Sequence, residues 1–382
     1  MRNVALILLG AGDSSRFKTQ KAPKKQWLRI DEIPLWLKVA KEVVSYYPFC
    51  KCILSIKEEE KKYTQKYLNS FNLNFILTKG GETRQESLQN ALLEVKEEWV
   101  LVSDIARCNM PKDIFIKILS ATNQYDCVVP YLNIPDTIAY GDETPQYLKR
   151  EKLKIIQTPQ LSKTEILKKA LLKGDFTDES SAIASYGGSI AYLEGSKEGR
   201  KITYLEDLQS LQLLSPSSKS MIGLGSDIHA MKSGNGIILG GIMIPCEYQL
   251  IAHSDGDVCL HALSDAILGG IGAGDIGEWF PDNDDAYKNA DSAKLLQKIV
   301  NFTLDVGYII KQVDLTIFAQ KPKISPYKNA IEKRIAEILE IPLFCVNVKA
   351  TTTEKLGFIG RKEGIMVQAN VILEYFNWKK LL

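Results

Sequence analysis

Val4-Ala-Leu-Ile-Leu-Leu9-Gly10-Ala-Gly-Asp-Ser-Ser-Arg16-Phe17 is an unbroken apolar run that stops at a glycine-containing loop. Apolar residues without polar alternation predict a strand buried on both faces, as in a parallel sheet. The loop carries hydroxyls and Arg16. Its backbone N–H groups, beside a helix start, form either a phosphate cradle or an ordinary strand-to-helix turn. Ser15 at the third glycine position rules out a dinucleotide fingerprint, and no Gly-Lys-Ser/Thr follows to make a Walker loop. The cationic segment Lys18 to Lys25 comes next. It reads as a solvated basic face or, beside a phosphate loop, as charge for a transferring phosphoryl group.

Working outward, Cys52 to Ile56, Phe75 to Leu77 and Trp99 to Asp104 are further short apolar runs. Charged helical stretches separate them, from Glu58 to Tyr67 and from the Gly80-Gly81-Glu82-Thr-Arg84 opening to about Glu97. Alternating strands and helices predict a doubly wound, Rossmann-like α/β domain. Ligands of such sheets sit beyond the carboxyl ends of the strands. Asp104 falls there, as a Mg2+ or ribose contact or as a helix N-cap, followed by Arg107. Val128 to Gln160 is less regular and reads as an excursion and return. Asp178 is a good N-cap, and Lys201 to Leu208 leads into a final helix. Ser215-Pro-Ser-Ser-Lys-Ser220 has linker composition, so the expected domains are 1–219 and 220–382.

With 382 residues the chain can hold two cores. Lys plus Arg is 48 against Asp plus Glu 46, a balance that calls for neither nucleic acid nor an anionic membrane surface. Seven scattered cysteines fit a reducing compartment, and Val4 to Leu9 is too short for a membrane helix or a secretory core. A cytoplasmic protein is expected.

The second unit holds all three histidines of the chain. On a strand, Asp227 and His229 point to one face. In His253-Ser254-Asp-Gly-Asp257-Val-Cys-Leu-His261, a helix beginning after Gly256 stacks Asp257, His261 and Asp265 along one stripe, with His253 left in the loop. Asp227, His229 and His261 make a three-ligand set with one tetrahedral position open, the pattern of a catalytic zinc site. Cys259, two residues before His261, points away and reads as core. A strand from Val346 ends in Thr351-Thr352-Thr353-Glu354, and Arg361 follows. This group suits a phosphate with a bridging divalent ion, or a capping box.

Residues 220–382 resemble the 2-C-methyl-D-erythritol 2,4-cyclodiphosphate synthases. The shared motifs are Asp227-x-His229, His253-Ser-Asp-Gly-Asp, His261, Gly-Asp275-Ile276-Gly277, Phe280-Pro-Asp282 and Lys349-Ala-Thr-Thr-Thr-Glu-Lys-Leu-Gly-Phe358. Residues 1 to about 215 resemble the 2-C-methyl-D-erythritol 4-phosphate cytidylyltransferases through the glycine loop, Arg16, Lys25-Gln, Gly80-Gly-Glu-x-Arg, Asp104-x-Ala-Arg107, Asp136-Thr137, Thr158-Pro-Gln, Thr177-Asp178-Glu and Lys201 to Asp207. Fusion of the two families is a known bifunctional arrangement. The departures are Ser14 for a loop glycine, Cys108 for a proline, Tyr204-Leu for Arg-Pro, and an extra residue near Pro23 that leaves Lys24 competing with the favoured Lys25.

The resemblance implies a nucleotidyltransferase domain followed by a smaller, trimer-forming α/β domain with a mixed sheet. In the first, Arg16 and Lys25 would stabilise the transition state while Mg2+ spans the CTP triphosphate. Gly81, Glu82 and Ser87 would read cytosine, Asp104 and Arg107 would line the substrate site, and Thr137, Arg150 and Lys201 would hold the methylerythritol phosphate. In the second, Zn2+ (Mn2+ as the substitute) would sit on Asp227, His229 and His261, and Mg2+ at Glu354. His253 and Thr352 would stabilise the transition state. Ser254, Asp275, Ile276, Gly277, Phe280, Asp282, Asp284, Ala319, Lys323, Ser325, Thr351, Thr353, Phe358 and Arg361 would bind substrate. A homotrimer or hexamer and a separate pathway kinase are implied as partners. Competing readings are a monofunctional cyclase with an inactive nucleotide-binding first domain, a metal-binding interaction protein and a zinc hydrolase.

Overall fold

The computed structural model describes residues 3–15, 17, 22–121, 124–141, 144–211, 213–252, 254–281 and 290–381, the side chain of Ser210 excepted. The chain forms two compact units whose main division falls between Ser215 and Pro216. No helix among the described residues is long and apolar enough to cross a membrane.

The first unit is built on an eight-stranded sheet. Its parallel part runs Ile76–Lys79, Lys51–Ile56, Val4–Leu9, Trp99–Asp104 in space, so chain order reads 3-2-1-4. Val4 to Leu8 and all of Trp99–Asp104 are buried, which is why these strands lack polar alternation. Order reverses between Val4–Leu9 and Trp99–Asp104, and the crevice beyond their carboxyl ends is the topological switch point where such sheets bind ligands. Gln160–Lys163 and Cys127–Asn133 extend the sheet in antiparallel fashion, and Ile190–Glu194 rejoins it parallel. The expected excursion is a short exposed ribbon, Ile138–Tyr140 against Gln146–Leu148.

Three local expectations shift. The helix opened by Arg84 ends at Leu92 rather than near Glu97. The stretch after Lys201 forms a 3-10 turn, Leu205–Ser210, instead of an α-helix. Asp207 Oδ2 there accepts the backbone N–H groups of Thr203 and Tyr204, closing the turn, while Oδ1 pairs with Arg200. The charged stretch from Glu58 begins as a 3-10 turn, and its α-helix runs Lys61–Ser70.

The second unit carries a five-stranded mixed sheet in the order Tyr248–Leu250, Ser220–Ser233, Gly364–Tyr375, Tyr308–Phe318, Val346–Thr351. Only the last two strands pair in parallel. One helix, Val258–Ile271, lies against Ser220–Ser233 because Gly223 and Gly225 leave room for it. A Cβ on Gly223 would stand 1.8 Å from the Ala266 carbonyl oxygen, and one on Gly225 2.0 Å from that of Ala262. Asp227 and His229 follow at the same two-residue period, so they share the face that receives the helix. Ile222, Leu224 and Ile228 point the other way and are exposed.

Candidate active sites

At the switch point the loop after Val4–Leu9, the Gly80-Gly81 turn and the end of Trp99–Asp104 enclose a cavity of about 380 Å³. Lys25, Gly81, Glu82, Ser87, Asp104 and Lys201 all line it. Thr83 caps the Arg84–Leu92 helix, and the Ser87 hydroxyl accepts the Gly81 N–H at 3.0 Å, which fixes the turn against the helix start. Gly80 has to be glycine, since a Cβ there would lie 2.1 Å from that of Ala11.

Ser14 sits in the left-handed region, φ 59°, that glycine enters freely. Its hydroxyl offsets the strain by accepting the Lys25 N–H at 3.0 Å and donating to Gln26 Oε1 at 3.3 Å. That explains the departure noted in the sequence. The loop is thereby tied to the lysine segment.

The two candidate lysines have different environments. Lys24 is buried and ion-paired with Glu60 at 2.6 Å; Glu60 also accepts the Trp27 indole N–H at 2.8 Å. Lys25 is held between these anchors and turns to the cavity, with Nζ 3.3 Å from the Ile202 carbonyl.

Behind the cavity runs an alternating ionic chain. Arg84 donates from Nε to Asp104 Oδ1 at 3.0 Å and from a terminal nitrogen to the fully buried Glu179 at 2.7 Å. Lys201 Nζ donates to Asp104 Oδ2 at 2.7 Å. Burial pushes the Asp104 carboxyl up, but Arg84, Lys201 and Arg107 outweigh it and hold the group well below the usual carboxylate range. Arg84 and Glu179 were not among the expected site residues. The second half of Gly-Gly-Glu-Thr-Arg84 was the available signal for Arg84, and the Thr177-Asp178-Glu179 motif was that for Glu179, although neither residue was given a role.

Arg107 and Lys201 also line a wider cavity of about 1230 Å³, which includes Asp136. Arg107 donates to the Gly199 and Ile156 carbonyls. Thr137 and Arg150 are exposed and line neither cavity; Arg150 donates to the Pro135 carbonyl. Arg16 lies outside the described residues.

In the second unit the Ser220–Ser233 strand and the Val258–Ile271 helix bring Asp227, His229 and His261 together, with one ligand atom of each within 4.8 Å of the others. Asp227 Oδ2 lies 3.1 Å from His229 Nδ1 and 3.2 Å from His261 Nδ1, while Oδ1 accepts the Ile228 N–H. His229 Nδ1 is buried yet makes no hydrogen bond, despite the short approach. Two imidazole nitrogens and a carboxylate oxygen converge, and one of those nitrogens, His229 Nδ1, is left without a hydrogen bond, which fits a cation. For Asp227, burial raises the carboxyl, but hydrogen bonding and the two imidazoles hold it well below its usual range. Asp257 is not part of the group: it caps the helix and accepts the Gly240 and Gly241 N–H groups.

Ser254 Oγ lies 3.2 Å from His261 Nε2. Asp275 caps the short Ile276–Trp279 helix, in which Gly277 lies, and the Ile276 N–H binds Asp265; Phe280, just beyond, is buried. His253, Asp282 and Asp284 lie outside the described residues.

Ala319 and the Thr351 turn follow the two parallel strands and meet at their carboxyl ends, where the Ala319 N–H donates to the Thr351 carbonyl. Lys355 N–H reaches Gln320, joining the turn to the loop that carries the exposed Lys323 and Ser325. Thr352 donates to Glu354 at 2.8 Å and Thr353 to the Leu356 carbonyl at 2.7 Å. Phe358 folds back to Gly364, and Arg361 pairs with Glu363 at 2.9 Å. Register puts Thr351 and Asp227 at the same end of the sheet, but three strand spacings apart, about 14 Å. One chain does not bring the Thr-Thr-Thr-Glu turn to the metal group.

The family model for 2-C-methyl-D-erythritol 4-phosphate cytidylyltransferase matches residues 4–214, and that of the YgbB family matches residues 220–374. The bifunctional enzyme IspD/IspF of Campylobacter fetus subsp. fetus is 50% identical over 383 aligned positions, covering all of both chains. That of Wolinella succinogenes is 48% identical over all of this chain and 98% of its own. The solved structure of the bifunctional IspDF from Campylobacter jejuni is 44% identical, covers 99% of this chain and 100% of that one, and superimposes with a TM-score of 0.86.

Proposed function

We infer the roles of these residues from one premise: the chain belongs to the family of bifunctional IspD/IspF enzymes. It therefore carries two activities of the methylerythritol phosphate route to isoprenoid precursors. One joins CTP to 2-C-methyl-D-erythritol 4-phosphate and releases pyrophosphate. The other converts the CDP-linked 2-phosphate to the 2,4-cyclodiphosphate and releases CMP.

In the first unit the switch-point cavity takes CTP. Gly81, Glu82 and Ser87 form its cytosine end, Lys25 faces the triphosphate, and Arg16 would add its charge to that of Lys25. An oxygen of the methylerythritol 4-phosphate attacks the α-phosphorus in line, and the bond to the bridging oxygen of the β-phosphate breaks. Fixed cations act by neutralising the crowded charge and by positioning. Mg2+ arriving with the nucleotide supplies further charge neutralisation. The wider cavity beside Arg107 and Lys201 receives the second substrate, with Lys201 common to both cavities. Thr137 and Arg150, exposed on the ribbon side, suit a site completed by another copy of the first domain.

In the second unit Asp227, His229 and His261 would hold Zn2+, which supplies a Lewis acid and a template. The 2-phosphate attacks the β-phosphorus, the bond from that phosphorus to the oxygen bridging to the α-phosphorus breaks, and CMP leaves. Thr352, His253 and Ser254 would stabilise the charge, Asp275 and Phe280 would shape the methylerythritol end, and Ala319 to Ser325 the cytosine end. The spacing of about 14 Å between Asp227 and Thr351, with the exposed row Ile222, Leu224 and Ile228, supports a site shared between subunits of a trimer. A separate kinase supplies the phosphorylation between the two steps. Seven free cysteines support a cytoplasmic location.

The observation that carries the two-activity reading is that Lys25, Asp104 and Lys201 meet in one preformed cavity, so the first domain is not merely a relic. Incubation with CTP, methylerythritol phosphate and Mg2+ is expected to release pyrophosphate, and cyclic diphosphate is expected only after the kinase and ATP are added. A second stage that works from supplied CDP-methylerythritol 2-phosphate while the first releases no pyrophosphate would overturn it in favour of a monofunctional cyclase.

A further inference from the structure

Beyond the three metal-facing residues, the His261 ring is held from its far side. Nδ1 faces Asp227 at 3.2 Å, while Nε2 lies 2.9 Å from Ser292 Oγ. Ser292 is 1% exposed and opens the Ser292–Asp305 helix. Its hydroxyl and its backbone N–H both run to Asp255, one to each carboxylate oxygen.

A carboxylate only accepts, so the Ser292 proton is committed to Asp255, and a lone pair is what Ser292 turns toward the imidazole. Nε2 of the neutral ring then carries the proton. The Nδ1 lone pair is left facing Asp227 and His229. Ser254 Oγ and Asp227 Oδ2, each at 3.2 Å, are the competitors: if the Ser254 hydroxyl donated to Nε2, or the Asp227 carboxylate accepted a proton from Nδ1, the opposite tautomer would result. The shorter contact and the anchored proton favour Ser292.

We propose that Asp255 and Ser292 are positioning residues that fix the tautomer and tilt of His261, and so set the affinity of the site for its metal. This rests on the reading that Asp227, His229 and His261 hold a divalent cation. Outer partners of a ligating imidazole raise its basicity and lock its orientation, and their loss typically costs about 10–100-fold in metal affinity.

Ser292→Ala deletes only the hydroxyl. The helix keeps Asp291 as its cap, and the Ser292 N–H bond to Asp255 is available to alanine as well. On the full chain, zinc competition against a chromophoric chelator is expected to show affinity about 10–100-fold weaker for Ser292→Ala, with Ser292→Thr recovering most of it. Because the chain has three histidines, 15N-histidine spectra of the metal-free protein, at a pH alkaline enough to keep every ring neutral, read the tautomer directly. The Nε2–H form of His261 is expected in the wild type and a mixture in Ser292→Ala.

Equal zinc affinity and an unchanged tautomer in a folded Ser292→Ala protein would overturn the relay and leave the metal site standing. An Nδ1–H wild type would overturn it even if Ser292→Ala failed to fold. A wild type that takes up no zinc would instead sink the site and the relay with it.

Discussion

The two sites solve the same problem, crowded phosphate charge, with opposite materials. At the switch point of the first unit the cations are side chains, and their counter-charges are built in: Glu179, Arg84, Asp104 and Lys201 alternate in sign through contacts of 2.7 to 3.0 Å. Such an array is organised before any ligand arrives. In the second unit the converging groups are one carboxylate and two imidazoles, and a buried His229 nitrogen goes without a hydrogen bond. Under the proposed reading that centre takes its positive charge from a bound cation. Protein-borne charge gives a site that survives metal removal; borrowed charge gives one that does not.

The largest effect expected from this contrast is on the second site. Asp227→Asn is expected to lower cyclisation by more than about 10³-fold. Pyrophosphate release by the same preparation should stay within about twofold, as separate sites do not couple. A parallel fall in both activities would break the comparison, since it would make the first site depend on the second. Next comes the lysine pair. Lys25→Ala is expected to cut turnover of pyrophosphate release by about 10²–10³-fold with stability unchanged. Lys24→Ala leaves Glu60, which is 1% exposed, without its cation, and is expected to cost about 3–5 kcal/mol in denaturant unfolding. Turnover lost on the Lys24 change with stability intact would reverse the assignment.

A smaller effect appears in acid. The Asp104 carboxyl has a folded-state pKa below its unfolded value, about 3.9. Its stabilising contribution is therefore fully present above that value and is lost as pH falls through the folded one. The unfolding free energy of the wild type should exceed that of Asp104→Asn by a few kcal/mol at neutral pH, and the gap should shrink below about pH 4. A gap that does not close would mean that the ionic chain contributes nothing at Asp104.

What could be read from the sequence follows the same division. Asp227-x-His229 and His261 were legible because a strand period and one helix register suffice to aim them, and Gly223 and Gly225 let those two elements touch. The Val4 to Leu9 and Trp99 to Asp104 runs exposed the sheet through unbroken apolarity, and their pairing fixed where ligands enter. Lys24 against Lys25 could not be settled, because the deciding partner, Glu60, is 36 residues away and reads locally as one more surface acid. The roles of Glu179 and Ser292 were hidden for a related reason. A buried Glu beside a capping Asp178, or a Ser at a helix start, has an ordinary local explanation, and only the tertiary neighbours Arg84 and His261 give it another. The distance from Asp227 to the Thr351 turn was equally invisible, being set by strand order.

The smallest expected effect tests whether proximity in sequence was rightly discounted. Cys259 stands two residues from His261, and a thiolate is the ligand zinc prefers most strongly, so a fourth ligand would normally be sought there. The side chain is fully buried, however, and burial pushes the thiol well above its ordinary range, which disfavours the thiolate a metal needs. Cys259→Ala should therefore leave zinc stoichiometry and affinity unchanged and cost only about 1 kcal/mol in unfolding, the loss of a small buried group. Weakened zinc binding would show that the helix rotates to offer the thiol. In that case the open coordination position attributed to the second site, where a phosphate oxygen would have to enter, would already be filled.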